Sequence, residues 1–282
     1  MWPLGKPSHT PRDTYRTCIS RSRDPLLKAR LESLETVVVL AAERYEQSAA
    51  AATLHTLSST DFGPTKGEPT AAEDLTKVYT NSMASRGAPG RRVYDELKLA
   101  ARRCPLCGHG TVTTLDHHLP KSAYPYLAVI PSNLVPACSD CNKTKTSAAP
   151  ATAEEQTLHP YFDDIDQETW LSAEVLEEGL AALRFCVRPS GEWSTCLAAR
   201  VRHHFNTFRL DRLYAAQASD ELAGLAYVLQ QLFDVAGAEG VRDYAKERAL
   251  SESAVRRNHW KTATYWALAN SSWYCSGGFA AL

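Results

Sequence analysis

The sequence predicts an α+β protein: a small metal-stapled module with strands, set between two mainly helical segments. Three observations carry that reading. Apolar residues recur at helical spacing over long stretches on both sides of the middle of the chain. Two Cys-x-x-Cys knuckles, Cys104/Cys107 and Cys138/Cys141, bracket a stretch that opens with β-branched residues. Further on, Leu183, Phe185 and Val187 alternate in the manner of a half-buried strand.

Length and composition bound the rest. A chain of 282 residues is long enough to bury a substantial core, as one large domain or two small ones. With 44% hydrophobic and 22% charged residues it is an ordinary globular chain, not a disordered or fibrous one. The formal net charge of −1 means that any nucleic-acid surface must be a local patch. The N-terminal "MWPLGKPSHTPRD" lacks a hydrophobic signal core, and no run of about 18 apolar residues occurs, so the expectation is a cytoplasmic protein. In a reducing compartment the paired knuckles read as metal ligands rather than disulfides. Cys18, Cys186, Cys196 and Cys275 have no partner spacing.

In order along the chain, residues 1–24 are polar and read as a loosely held arm. From Asp24-Pro25 one helical pattern runs on, with Pro25 suited to a first turn and Leu27, Leu31, Leu34 and Val38 on one stripe. Residues 59–69 form a loop. "TAAEDLTKVYTNSMAS" predicts a second helix with Thr70 as N-cap and Glu73 completing a capping box, and "RRVYDELKLAARR" a third that leads into Cys104. Beyond the knuckles, "SAAPATAEEQTLHPYFDD" is a connector. A β-hairpin turning at Glu178-Gly179 follows, and then about four helices with a break at Gly237 and Gly240. The domain reading is 1–95 helical, 96–150 stapled core, and 151–282 hairpin then helices.

Four thiolates suit a tetrahedral Zn²⁺, and Cys104, Cys107, Cys138 and Cys141 supply them. His109 lies close, but four sulfurs already complete the shell. A closed four-thiolate ion has no open position and cannot be a catalyst, so its part is to hold the ends of the insertion together. That insertion places Asp116, His117 and His118 at the end of a predicted strand, "TVTTLDHH". An irregular, proline-punctuated loop follows, "NLVPAC" returns as a short strand, and "NKTKTS" begins a helix after the second knuckle.

The stretch "LDHHLPKS…NLVPACSDCNKTK" with its first knuckle resembles the zinc-stapled members of the HNH endonuclease family, which carry a ββα-metal core. Six separated features coincide: the first knuckle, Asp-His with a proline three residues on, Asn-Leu, the second knuckle, an asparagine directly after it, and a nearby lysine. The flanks also resemble stand-alone bacterial HNH proteins of mobile-element or phage-defence neighbourhoods. The resemblance implies that His117 is the general base and that Asp116 and Asn142 hold one Mg²⁺ or other divalent cation. It implies that Asn133 bridges backbone groups of the loop and holds His117 in place. The chemistry is coherent: two protein ligands leave open positions for phosphate and water, and a neutral imidazole can accept a proton at physiological pH.

Only one of two successive strand side chains can face a metal, and the family pattern gives that place to His117, leaving His118 to packing or a phosphate contact at the rim. Lys121, Lys143 and Lys145 are candidate phosphate contacts, and Arg91, Arg92, Arg102 and Arg103 a candidate positive patch. His159, beside Asp163 and Asp164, reads as a hydrogen-bonded residue of a packed turn. His203 and His204 read as helix packing, and the aromatic cluster Tyr265, Trp266, Trp273 and Tyr274 as a docked C-terminal helix. The activity that the resemblance implies is phosphodiester hydrolysis, in double-stranded DNA, leaving a 3′-hydroxyl and a 5′-phosphate. The alternatives are a zinc-stapled nucleic-acid-binding module without catalysis, and a subunit gated by a partner such as an ATPase.

Overall fold

The computed structural model describes residues 1–65, 70–145, 149–177 and 181–281, and these fall into two compact units, Met1–Asp164 and Ile165–Leu282. The first unit therefore holds both the helical segment 1–95 and the stapled core 96–150. No helix among the described residues is long and apolar enough to cross a membrane.

The first unit opens with a correction. Residues 1–24 are not a loose arm: Met1 is buried, and the backbone N–H of Trp2 donates to Pro105 O at 2.8 Å. Helix α1 (Pro11–Ile19) starts where the Thr10 hydroxyl accepts from Asp13 N–H, and it buries Tyr15, Cys18 and Ile19. The helix expected from Pro25 onward is two helices, α2 (Pro25–Ser33), capped by Asp24, and α3 (Glu35–Ala50), joined at Leu34. Helix α4 (Ala72–Tyr79) has its N-cap at Ala71 rather than Thr70. Asp74, not Glu73, reaches back to the Ala71 N–H. A single π-helical turn, Thr80–Ala84, follows directly, and α5 (Arg91–Leu99) then leads to Cys104. Part of the predicted 59–69 loop, residues 66–69, lies outside the described residues.

Strands β1 (Thr114–His117) and β2 (Leu134–Ala137) pair antiparallel, with Asp116 opposite Val135 and His117 opposite Leu134. Helix α6 (Ser139–Thr144) follows at once. It starts three residues earlier than Asn142, because Cys138 itself is the N-cap. Strand, loop, strand, helix is thus the observed order. Most of the sixteen residues of the intervening loop turn inward, with Leu119, Leu127, Ile130 and Asn133 all at 0% exposure, and only 120–123 reach the surface.

In the second unit β3 (Leu171–Leu176) pairs antiparallel with β4 (Ala182–Val187), where Leu183 and Phe185 face the core. The predicted Glu178-Gly179 turn lies outside the described residues. Helix α7 (Thr195–Thr207) buries Val201, His204 and Phe205. A long helical run, α8 (Leu210–Val255), breaks at Gly237, whose φ of 63° is open to glycine without steric cost. Helices α9 (Trp260–Asn270) and α10 (Ser272–Cys275) close the unit and bury Tyr265 and Tyr274.

Candidate functional site

The four knuckle cysteines converge. Their sulfurs lie within 4.8 Å of one another, all four residues are buried, and none is in a disulfide. Cys107 and Cys138 Sγ are 4.0 Å apart. That is twice a disulfide length and near the ~3.8 Å edge of a tetrahedron with Zn–S bonds of about 2.3 Å. Local backbone makes this possible. Gly108, at φ 67°, turns the first knuckle so that its N–H donates to Cys104 O at 2.7 Å. Gly110 N–H donates to Cys107 Sγ at 3.3 Å, and Cys141 N–H to Cys138 Sγ at 3.4 Å, which favours thiolates there. A side chain at Gly110 would come within 2.8 Å of Cys138 Sγ. Hydrogen bonding to the Cys104 thiol lowers the pKa of Cys107 and Cys138, while neighbouring thiols raise those of Cys104 and Cys141. Four buried sulfurs this close together can all ionise only around a cation. The residues fit a zinc ion, and the shell they form is closed.

Beside this cluster, the end of β1 sends three side chains into three environments. Asp116 is 8% exposed. Its Oδ2 accepts from Lys145 Nζ at 2.7 Å, and the same ammonium donates to His117 O at 2.7 Å and His118 O at 2.8 Å. Burial raises the Asp116 pKa, and the Lys145 charge opposes it. The imidazole of His117 donates from Nε2 to Ala128 O at 2.8 Å, since a carbonyl can only accept. The neutral ring therefore keeps its lone pair on Nδ1. The Tyr79 ring sits edge-on to it, with centroids 4.4 Å apart. Desolvation lowers the His117 pKa from 6.5 to about 3.

His118 points the other way and is 7% exposed, its ring 4.1 Å from that of His159. It is a buried stacking residue and not a rim contact for phosphate. His159 is held in turn. Its Nδ1 accepts from Tyr161 N–H, so Nε2 carries the proton and donates to the Tyr45 hydroxyl at 2.8 Å. Asn133 lies fully buried at the foot of the loop. Its Oδ1 accepts from Leu119 N–H at 2.8 Å, and its Nδ2 donates to Leu119 O and Leu127 O.

The remaining predicted residues are less tightly grouped. Asn142 is half-buried on α6, with its backbone N–H on Cys138 O and no side-chain hydrogen bond among the described residues. Lys121 is half-buried over the Tyr79 ring, 4.8 Å from its centroid. Lys143 is exposed. Lys145, at 11% side-chain exposure, is turned inward and is not a surface cation. Of the four arginines of the expected positive patch, Arg91 and Arg92 pair with Asp95 and Glu96 one helical turn away, while Arg102 and Arg103 are exposed. Sequence reasoning missed Tyr79, which reads as one more apolar position of an amphipathic helix. It also missed the inward turn of Lys145, which no local pattern announces. The π-helical turn beside Tyr79 is a recurrent mark of functional sites, visible only in the structure.

Fold and centre together define an α+β protein organised around a buried four-cysteine cluster able to hold a zinc ion. No profile of a known protein family matches the chain, and no solved structure matches it. It is similar to protein ea31 of Escherichia phage lambda, at 30% identity over 218 residues, covering 72% of this chain and 74% of the phage protein. The chain belongs to the family of that phage protein.

Proposed function

We propose that the chain is a metal-dependent HNH endonuclease that hydrolyses phosphodiester bonds in DNA, with a structural zinc at Cys104, Cys107, Cys138 and Cys141. The observation that carries the reading is the state of His117. It directly follows a buried carboxylate, its Nε2 is committed to Ala128 O, and its Nδ1 is left as a base. An imidazole with its lone pair free is mostly unprotonated at neutral pH and can accept a proton there.

In this mechanism His117 Nδ1 takes a proton from a water molecule placed in line with the scissile phosphate. Asn133 fixes both ends of the loop whose Ala128 carbonyl sets the His117 tautomer. Asp116 and Asn142 would hold one Mg²⁺ or other divalent cation, which when bound would supply charge neutralisation at the phosphate and the leaving oxygen. Lys121 and Lys143 contact backbone phosphates. One site cuts one strand and leaves a 3′-hydroxyl and a 5′-phosphate. The likeness to a phage-encoded protein fits a mobile-element neighbourhood.

Purified wild-type protein should nick supercoiled plasmid in Mg²⁺ or Mn²⁺. His117→Ala should lose at least about a hundredfold of that rate, the scale of a removed general base, with the fold and zinc content retained. Absence of nicking by folded, zinc-loaded wild type in every divalent ion would reject the free-standing enzyme. A partner-gated nuclease, with an ATPase as one such partner, is favoured by one observation: Asp116 is already engaged by Lys145.

A further inference from the structure

The ammonium of Lys145 is surrounded as a bound cation would be. An NH₃⁺ group has three donors, and all three are used, on Asp116 Oδ2 at 2.7 Å, His117 O at 2.7 Å and His118 O at 2.8 Å. One carboxylate oxygen and two carbonyl oxygens converging on a point are the donor types a hard divalent cation takes. The side chains of Lys145 and Asp116 are 11% and 12% exposed, so water screens the pair little. Two cations cannot share this corner, because a divalent ion on Asp116 would sit within a few ångströms of the ammonium.

We propose that Lys145 is a tethered surrogate cation: it occupies the Asp116 corner in the resting chain and must swing out before a divalent ion can bind there. The location of Lys145 permits this. It is the C-cap of α6: its N–H still closes the helix on Cys141 O at 3.0 Å, but its own backbone is already extended at ψ 114°, so its side chain can leave without unwinding the helix. Its departure would also put a positive charge at the mouth of the site, where a phosphodiester would meet it. The proposal rests on the endonuclease reading only in taking Asp116 as the cation ligand. It adds that cation loading and Lys145 exposure are one event.

The test uses the zinc-loaded full chain. Lysines are acylated under limiting reagent, and Lys145 modification is read by mass spectrometry as a ratio to exposed Lys143. The ratio should be low without divalent ions and rise at least fivefold when Mg²⁺ or Mn²⁺ is added. Mn²⁺ binding is measured alongside by electron paramagnetic resonance. If the closed corner is populated about nine times in ten, Lys145→Met should bind Mn²⁺ roughly tenfold more tightly than wild type. Asp116→Asn should abolish binding in both backgrounds. Wild type that binds Mn²⁺ through Asp116 with no rise in Lys145 labelling overturns the surrogate and leaves the endonuclease reading standing. Failure of both wild type and Lys145→Met to bind Mn²⁺ overturns the surrogate together with the Asp116 cation assignment. Should Lys145→Met fail to fold, the labelling of wild type alone decides.

Discussion

His117 and His118 are the same side chain at successive positions, and strand geometry sends them to opposite faces. One meets the Ala128 carbonyl and the Tyr79 edge, the other the His159 ring. The consequence for His117 is measurable. Its pKa is about 3 in the folded chain against about 6.5 when free, so between those values the unfolded chain binds a proton that the native chain does not. Stability contributed by the neutral ring is therefore fully present above pH 6.5 and declines as pH falls through that window. The slope is at most about 1.4 kcal/mol per pH unit, less where the exposed edge of the ring meets solvent. A cation at Asp116 would push the His117 pKa further in the same direction. The carbon-bound imidazole proton of His117, followed by NMR from pH 8 to 5, should show no titration. A midpoint near 6.5 would mean a hydrated ring and would remove the desolvation argument.

At the scale of elements, Asn133 makes more hydrogen bonds to the loop between β1 and β2 than any other single side chain described. Asn133 satisfies the N–H and C=O of Leu119 and the C=O of Leu127, with no solvent to replace it. Asn133→Ala leaves three buried backbone groups with one partner fewer and should cost about 2–4 kcal/mol in a denaturant titration. An effect below about 0.5 kcal/mol would show that the loop is fixed by its apolar contacts instead. The parts of this region that could be read from sequence are those whose cause is local. Cys-x-x-Cys spacing brings two sulfurs together within one turn, and β-branched residues before Asp116 favour a strand. Three features have a distant cause and could not be read. Lys145 finds Asp116 across the β1–α6 contact, Trp2 is drawn in because its backbone pairs with Pro105, and the α2–α3 break at Leu34 carries neither glycine nor proline. At α4, Thr70 and Glu73 form the better capping box on paper, since Ala71 has no side-chain acceptor, but Thr70 is buried and only the Asp74 half of a box forms, on the Ala71 N–H.

For the whole molecule, the metal centre belongs to one unit only. All four thiols lie in Met1–Asp164, whereas Ile165–Leu282 has a core of its own, with Trp170, Leu171, Phe185, Tyr214, Tyr265 and Phe279 each at most 5% exposed. The alternation of Leu183 and Phe185 and the break at Gly237 are legible in the sequence because their causes are local. A structural ion bound by four buried thiolates contributes its binding free energy to the folding of the segment it closes. Withdrawing it leaves four sulfurs with no solvent and no shared charge. Zinc removal with a thiol-competing chelator should therefore open residues 104–145, and with them the backbone of Trp2, which pairs with Pro105. In hydrogen exchange read by mass spectrometry, peptides from that stretch should exchange more than about a hundredfold faster, the factor that roughly 3 kcal/mol supplies. Peptides from α7, α8 and α9 should keep their protection, because no ligand comes from them. Equal loss of protection in both units would mean that the ion supports the whole chain, and no loss in either would mean that the four-cysteine cluster closes without metal.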